Sequence, residues 1–237
     1  MENMSPESPG SALVLAPEAV AVNLACVLPF RELNRLSRSI DNSLPDMPHR
    51  IIQFASAYNS EDASLIAFDV AVVTALAGKR VLFVDTTGIQ HKTAKKLAES
   101  LKFTLNAVFT HNKPLGEVMV SAERSNLFYT MLRTSGDASI PLNDLMNFEI
   151  LIHSLRSSYD FIIMDAVNFM DNTLALSITK AVDGTILVIE AERTRVPVAF
   201  QLKKVIEESG GKVIGTVLNK RRFYIPQFIY RWLYHKH

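Results

Sequence analysis

The sequence predicts an α/β domain in which a mostly parallel central sheet carries helices on both faces. Three observations support this. Continuous Ile, Val, Leu and Phe runs of strand length recur along the chain: RIIQFA, RVLFVD, DFIIMD, GTILVIE and KVIGTVL. Segments of helical content separate most of them. Strands without polar alternation are buried on both faces, as in a parallel sheet covered by crossover helices. Crossovers in such a sheet are right-handed, and ligands sit beyond the carboxyl ends of the strands.

Residues 1–30 form a leader rich in Ser, Pro and Ala. Its apolar part, Ser11 to Phe30, is interrupted by Pro17, Glu18, Asn23 and Pro29, and no basic run precedes it. A secretory signal needs a positive start, and a membrane span needs about 20 unbroken apolar residues. The leader is therefore expected to be an arm that packs on the domain or on a partner. Residues 31–41 read as a helix, and a connector with two prolines covers 43–49. Then come a strand over 50–55, a helix over 63–77 ending at Gly78, and a strand over 80–85 ending on Asp85. A helix over 91–101 carries Lys92, Lys95 and Lys96. A third strand is expected over 126–132, a helix over 143–156, and a fourth strand over 160–165 ending on Asp165. A fifth strand over 184–190, a helix over 197–209 and a sixth strand over 212–218 complete the order. The expected organisation is a leader over 1–30, one domain over 31–219 and a basic aromatic segment over 220–237.

Composition narrows the function. The 237 residues are 48% hydrophobic and 21% charged, ample for a sizeable core. Lys plus Arg is 25 against 24 for Asp plus Glu, a net charge of +1, so nucleic acid is not an expected partner. Cys26 is the single cysteine, which excludes an intramolecular disulfide and a cysteine metal cluster and fits a reducing compartment. The six histidines are scattered, and no metal site is expected. No segment after the leader reads as a membrane span.

The loops after the strands hold the candidate chemistry. After the first strand comes the frame Ala57, Tyr58, Asn59, Ser60, Glu61, Asp62, Ala63, Ser64. A phosphate-binding loop, G-x-x-x-x-G-K-[ST], works because glycines let backbone N–H groups wrap a phosphate. Its lysine neutralises charge, and its hydroxyl holds Mg²⁺. Here Ser64 keeps the hydroxyl, Ala57 and Asp62 replace the glycines, and Ala63 replaces the lysine. A carboxylate about 4 Å from a phosphate charge costs about 4 kcal/mol at an effective dielectric of about 20. Alternatively, Asp62 is an acidic residue of the kind favoured at any helix start.

The order of these segments resembles the cytoplasmic P-loop ATPase domain of the bacterial tyrosine kinases of capsule and exopolysaccharide synthesis. These are members of the wider MinD/ParA-like group. The resemblance covers about residues 31–232 and rests on AGKRVLFVD, YDFIIMD, VDGTILVIEAERT and VLNKRRFYIPQFIYRWL. It implies that Asp85 and Asp165 match the carboxylates serving Mg²⁺ and phosphoryl transfer, and that Asn219 lies near the nucleotide base. It also shows departures. Thr87 stands where the family has a second acidic residue, and Ala166 and Val167 stand where a Pro-Pro pair is usual. With the lysine lost, a catalytically degenerate subunit is expected, without catalytic residues or cofactor. Ser64, Asp85, Asp165 and Asn219 are then residual nucleotide or Mg²⁺ positions. An active ATP- and Mg²⁺-dependent tyrosine autokinase and a MinD/ParA-like positioning ATPase are the alternatives. Asp85 and Asp165 can also simply cap the helices that follow their strands.

Two further features point to partners. Glu32, Arg35 and Arg38 form E-x-x-R-x-x-R on one helix face. In the family this motif looks like the contact that builds a ring of subunits, for which arginine forks supply direction. The other reading is a solvated Glu–Arg pair worth a few tenths of a kcal/mol. Residues 220–237 carry five Lys or Arg, no acidic residue, and aromatics including Tyr230 and Trp232. Arg221, Arg222, Tyr230 and Trp232 suit a membrane or partner contact, while Phe228, Ile229 and Leu233 could close the core instead. The resemblance implies as partner a transmembrane chain-length determinant (polysaccharide co-polymerase), with a homo-oligomer or co-assembly. It places the chain in the cytoplasm, peripheral at the inner face of the inner membrane.

Overall fold

The computed structural model describes residues 24, 27–58, 61–122, 125–132, 142–166 and 173–220. Seven strands form one sheet: β1 (Arg50–Ser56), β2 (Val81–Asp85), β3 (Val120–Ser121), β4 (Leu127–Met131), β5 (Phe161–Ala166), β6 (Gly184–Glu190) and β7 (Val213–Asn219). Their order is β3-β4-β2-β5-β1-β6-β7, and every pairing is parallel except β3 with β4. The interior strand β1 lies between β5 and β6, with Phe54 level with Asp165 and Ser56 level with Val188. The carboxyl ends of β1, β2, β5, β6 and β7 therefore meet along one edge of the sheet.

Alternate residues of the strands feed two cores, as the two-residue period requires. Ile52 and Phe54 of β1, Phe83 of β2 and Ile163 of β5 face one layer of helices. That layer holds α1 (Phe30–Ser43), α2 (Glu61–Leu76) and α3 (Lys92–Ser100). Helix α2 is buried on nearly all sides, with Ile66, Ala67, Phe68, Val70 and Ala71 inaccessible to solvent. It has no polar stripe because α1 covers the side turned from the sheet. Leu33 and Ile40 of α1 are buried, and the Ser37 and Thr74 hydroxyls join the two helices at 2.9 Å. Leu24, Val27 and Leu28, at the end of the leader, pack against this core.

The opposite face packs Ile51, Leu82, Val84, Ile162 and Met164 against α6 (Leu142–Leu155) and α7 (Thr173–Ala181). Beside them, Ala55 and Leu187 meet Leu202 and Ile206 of α8 (Val196–Glu208). The buried Gln53 is hydrogen-bonded through both ends of its amide at this junction. Its amide donates to the Ala175 carbonyl at 3.0 Å, and its oxygen accepts from the hydroxyls of Thr179 and Thr185 at 3.1 and 3.3 Å.

The six expected strands and the helices between them are present, with ends shifted by a residue or two. Three additions are new. The two-residue β3 makes the sheet mixed at one edge. The single-turn helices α4 (Ala107–Thr110) and α5 (Leu115–Val118) fill the stretch between α3 and β3. Helix α7 supplies the crossover between β5 and β6. Among the described residues, no helix is long and apolar enough to cross a membrane. Residues 1–23 and 221–237, which hold most of the leader and nearly all of the basic aromatic segment, lie outside the described residues.

Candidate functional site

The carboxyl edge of the sheet brings five of the sequence candidates into two adjoining clusters. The first is built on Asp85 and Asp165, the last or near-last residues of β2 and β5, both fully buried. Asp85 organises the turn that follows it. It accepts the backbone N–H groups of Thr87 at 2.9 Å, Gly88 at 2.7 Å and Ile89 at 3.0 Å, and the Tyr129 hydroxyl at 2.6 Å. Gly88 allows the turn because its φ of 72° lies in the left-handed region. Asp165 accepts the Thr86 N–H at 2.6 Å and the Thr87 hydroxyl at 2.7 Å. The Ser64 hydroxyl, on the first turn of α2, stands 3.2 Å from the Thr87 hydroxyl. Burial pushes the Asp165 carboxyl up to about 7, the Asp85 charge pushes the same way, and bonds from Thr86, Thr87 and Ser64 oppose them. Burial, with the Asp85 charge next, also raises the Tyr129 phenol.

Thr87 is the residue that sequence reasoning noted only as a departure. Its hydroxyl stands between Ser64 and both carboxylates, so three candidates of the family pattern are joined by a neutral side chain instead of an acid. A lone threonine after a strand gives no sequence signal for this role.

The second cluster surrounds Asp62. Its carboxylate accepts Lys220 Nζ at 2.5 Å and the Asn219 amide at 3.3 Å. Lys220 also reaches Glu190 at 3.1 Å, and Arg193 pairs with Glu190 at 3.0 Å. Asp62 and Glu190 raise the Lys220 ammonium above its usual value. Burial pushes the Glu190 carboxyl up, but Lys220 and Arg193 outweigh it and hold it below its usual value. The backbone at Lys220 has a φ of 55°, and this left-handed step at the end of β7 accompanies the reach of its side chain to the start of α2. The chain Arg193–Glu190–Lys220–Asp62 thus ties together the loops after β1, β6 and β7.

Ala63 stands where the phosphate loop of such a fold carries its lysine, and the nearby Lys220 ammonium is engaged by Asp62 and Glu190. The helix start that would receive a phosphate holds its own carboxylate, already neutralised by a lysine from another strand. Asp85 and Asp165 are buried, and their oxygens are engaged by backbone N–H and hydroxyl donors. The space between Ser56, Ala57, Tyr58, Val188, Glu190, Thr194 and Asn219 measures about 10 Å³. That is room for about one water.

The remaining candidates lie apart. Glu32, Arg35 and Arg38 are on α1, where Glu32 pairs with Arg35 at 3.4 Å on the exposed surface. Among the described residues, an open groove of about 580 Å³ is lined there by Phe30, Arg31, Asn34, Arg35 and Arg38. Arg31 and Arg38 form no ion pair with any described residue. Ser60, Arg221, Arg222, Tyr230 and Trp232 lie outside the described residues.

Comparison with known proteins places this architecture. No family model matches the chain. The kinase domain of the Escherichia coli tyrosine kinase ETK superposes with a TM-score of 0.71 at 17% identity, over 83% of this chain and 78% of that one. MinD of Aquifex aeolicus superposes with a TM-score of 0.60 at 16% identity, over 77% and 73%. The fold is thus that of the P-loop NTPases of the MinD and tyrosine-kinase type. Within that class, the chimerical protein CapA2B2 gives a TM-score of 0.64 at 25% identity, over 78% of this chain and 82% of that one. The tyrosine-protein kinase CpsD of Streptococcus agalactiae serotype III is 28% identical over 179 residues, 73% of this chain and 75% of that protein. The succinoglycan biosynthesis transport protein ExoP of Rhizobium meliloti is 23% identical over 183 residues, 76% of this chain and 23% of that longer protein. The chain's homologues are bacterial tyrosine-protein kinases.

Proposed function

We propose that this chain is a catalytically degenerate relative of the bacterial tyrosine kinases, serving a capsule or exopolysaccharide synthesis and export system by binding instead of phosphoryl transfer. The observation that supports this reading is the Asp62–Lys220 ion pair at the start of α2, where the family's loop would offer glycine and lysine to a phosphate. Phosphoryl transfer depends on positioned charge neutralisation around the γ-phosphate, and Ala63 offers none. The chain would then need no ATP or Mg²⁺. ExoP, a relative named for succinoglycan transport, supports the polysaccharide assignment.

The proposed partner is a transmembrane chain-length determinant, met at the cytoplasmic face of the inner membrane. The chain acts there as a homo-oligomer or co-assembly. Subunits join through Glu32, Arg35 and Arg38, and Arg221, Arg222, Tyr230 and Trp232 contribute to docking. The groove on α1, with three arginines and the half-exposed Phe30, suits a neighbour's carboxylates around an apolar contact. Arg35→Glu with Arg38→Glu should shift the complex to monomer when its mass is measured by light scattering with the membrane partner's cytosolic segment present. An unchanged mass at matched concentration would leave α1 a solvated helix and remove the assembly part of the proposal. An active kinase is the second reading, favoured by Ser64, Asp85 and Asp165 meeting at one sheet edge.

A further inference from the structure

We propose that the outer face of α3, with Phe103 beside it, is a contact surface for an anionic lipid bilayer. The inference does not depend on the polysaccharide reading. Helix α3 buries Thr93, Ala94 and Leu97 against the core and turns Lys92, Lys95 and Lys96 to solvent. Lys102 and Phe103 continue that surface just past the helix end, and Phe103 is 39% exposed. Lys113 Nζ lies 4.5 Å over the Phe103 ring and pairs with Glu117 at 3.7 Å. Lys92, Lys95, Lys96 and Lys102 form no ion pair with any described residue. Residues 91–117 hold five lysines and two glutamates, a net of +3 in a chain whose net is +1. This stretch is therefore a locally positive surface on a nearly neutral molecule.

The kind of cation indicates the kind of partner. Every cation of this patch is lysine, whereas the three on the groove of α1 are arginine. Arginine reads carboxylates with a planar fork, so a surface for an acidic protein segment is expected to use it. Lysine is a hydrated point charge on a flexible stem, suited to a diffuse field of anions with no fixed geometry. An exposed aromatic among such lysines adds the apolar contact that a headgroup layer accepts and a protein carboxylate does not. The attraction is about 5-fold in partition per lysine near an anionic leaflet, which makes the contact reversible and salt-sensitive.

Sedimentation of the full chain with vesicles tests this. Wild type should bind vesicles of phosphatidylcholine and phosphatidylglycerol mixed two to one, leave them as salt is raised, and ignore phosphatidylcholine alone. Lys92→Gln with Lys95→Gln and Lys96→Gln should lower the partition by about 100-fold, while Lys203→Gln with Lys204→Gln, on the exposed surface of α8, should leave most of it. If the α3 variant loses its cooperative melt, Lys102→Gln with Phe103→Ser, outside the helix, should give the same direction of loss. The proposal is overturned if a folded α3 variant binds like wild type, if neutral vesicles bind equally well, or if random duplex DNA displaces the chain from the vesicles at equal anion concentration.

Discussion

Asp165 holds a proton through a pH range in which a solvated aspartate has lost it. Its folded-state pKa of about 7 stands above the ordinary 3.8, with burial the larger cause and the neighbouring Asp85 charge the second. Between those values the folded chain binds a proton that the unfolded chain does not. Stability contributed by this group is therefore present at low pH and falls as pH rises through the window, with a slope approaching about 1.4 kcal/mol per pH unit. Asp165→Asn keeps an acceptor for the Thr86 N–H without the charge. Its melting temperature should exceed that of wild type at pH 8 and converge with it near pH 4. Parallel melting curves across the range would show that Asp165 carries no such proton. The positions of Asp85 and Asp165 were legible in the sequence, because each closes an apolar run of strand length. The Lys220 pair with Asp62 was not. It depends on a left-handed residue after β7 and on strand order, and neither leaves a local trace.

At the scale of elements, the buried strands were the most legible part of the chain, since a run such as VLFVD has no polar face to present. Helix α2 was legible by composition but not by period, because it is covered by both sheet and α1. Helix α7 was missed. Its nine residues alternate apolar with Thr, Ser and Lys, and only the need for a crossover between two parallel strands demands a helix there. The turn from α8 into β7 is where these layers press closest. A Cβ on Gly211 would run into the Thr179 methyl of α7 and lie 3.1 Å from the Ile206 side chain. Gly211→Ala should cost about 1–3 kcal/mol, read as a lower urea midpoint. Gly215→Ala, on β7 where a Cβ meets nothing within 4 Å, should stay within about 0.5 kcal/mol of wild type. Equal effects at the two glycines would mean that the α7–α8 junction yields instead of clashing.

Across the whole molecule, the topology gathers the strand ends and their loops at one edge, and the ion pairs Arg193–Glu190–Lys220–Asp62 run along it. The sequence located the edge and showed the missing lysine. It left open whether Asp62 repels a ligand or is an ordinary acidic residue at a helix start, and it gave no sign of the Lys220 partner, which comes from the far end of the domain. Asp62 is paired with Lys220, and in the proposed reading that pair takes the place of a bound phosphate. Calorimetric titration of the purified chain with ATP and with ADP, each with Mg²⁺, tests that claim most directly. Closure by Asp62 and Lys220 predicts no saturable heat up to millimolar nucleotide for wild type, and measurable binding once Asp62→Gly and Ala63→Lys restore the cradle and its cation. Micromolar binding of ATP to the wild-type chain would contradict it.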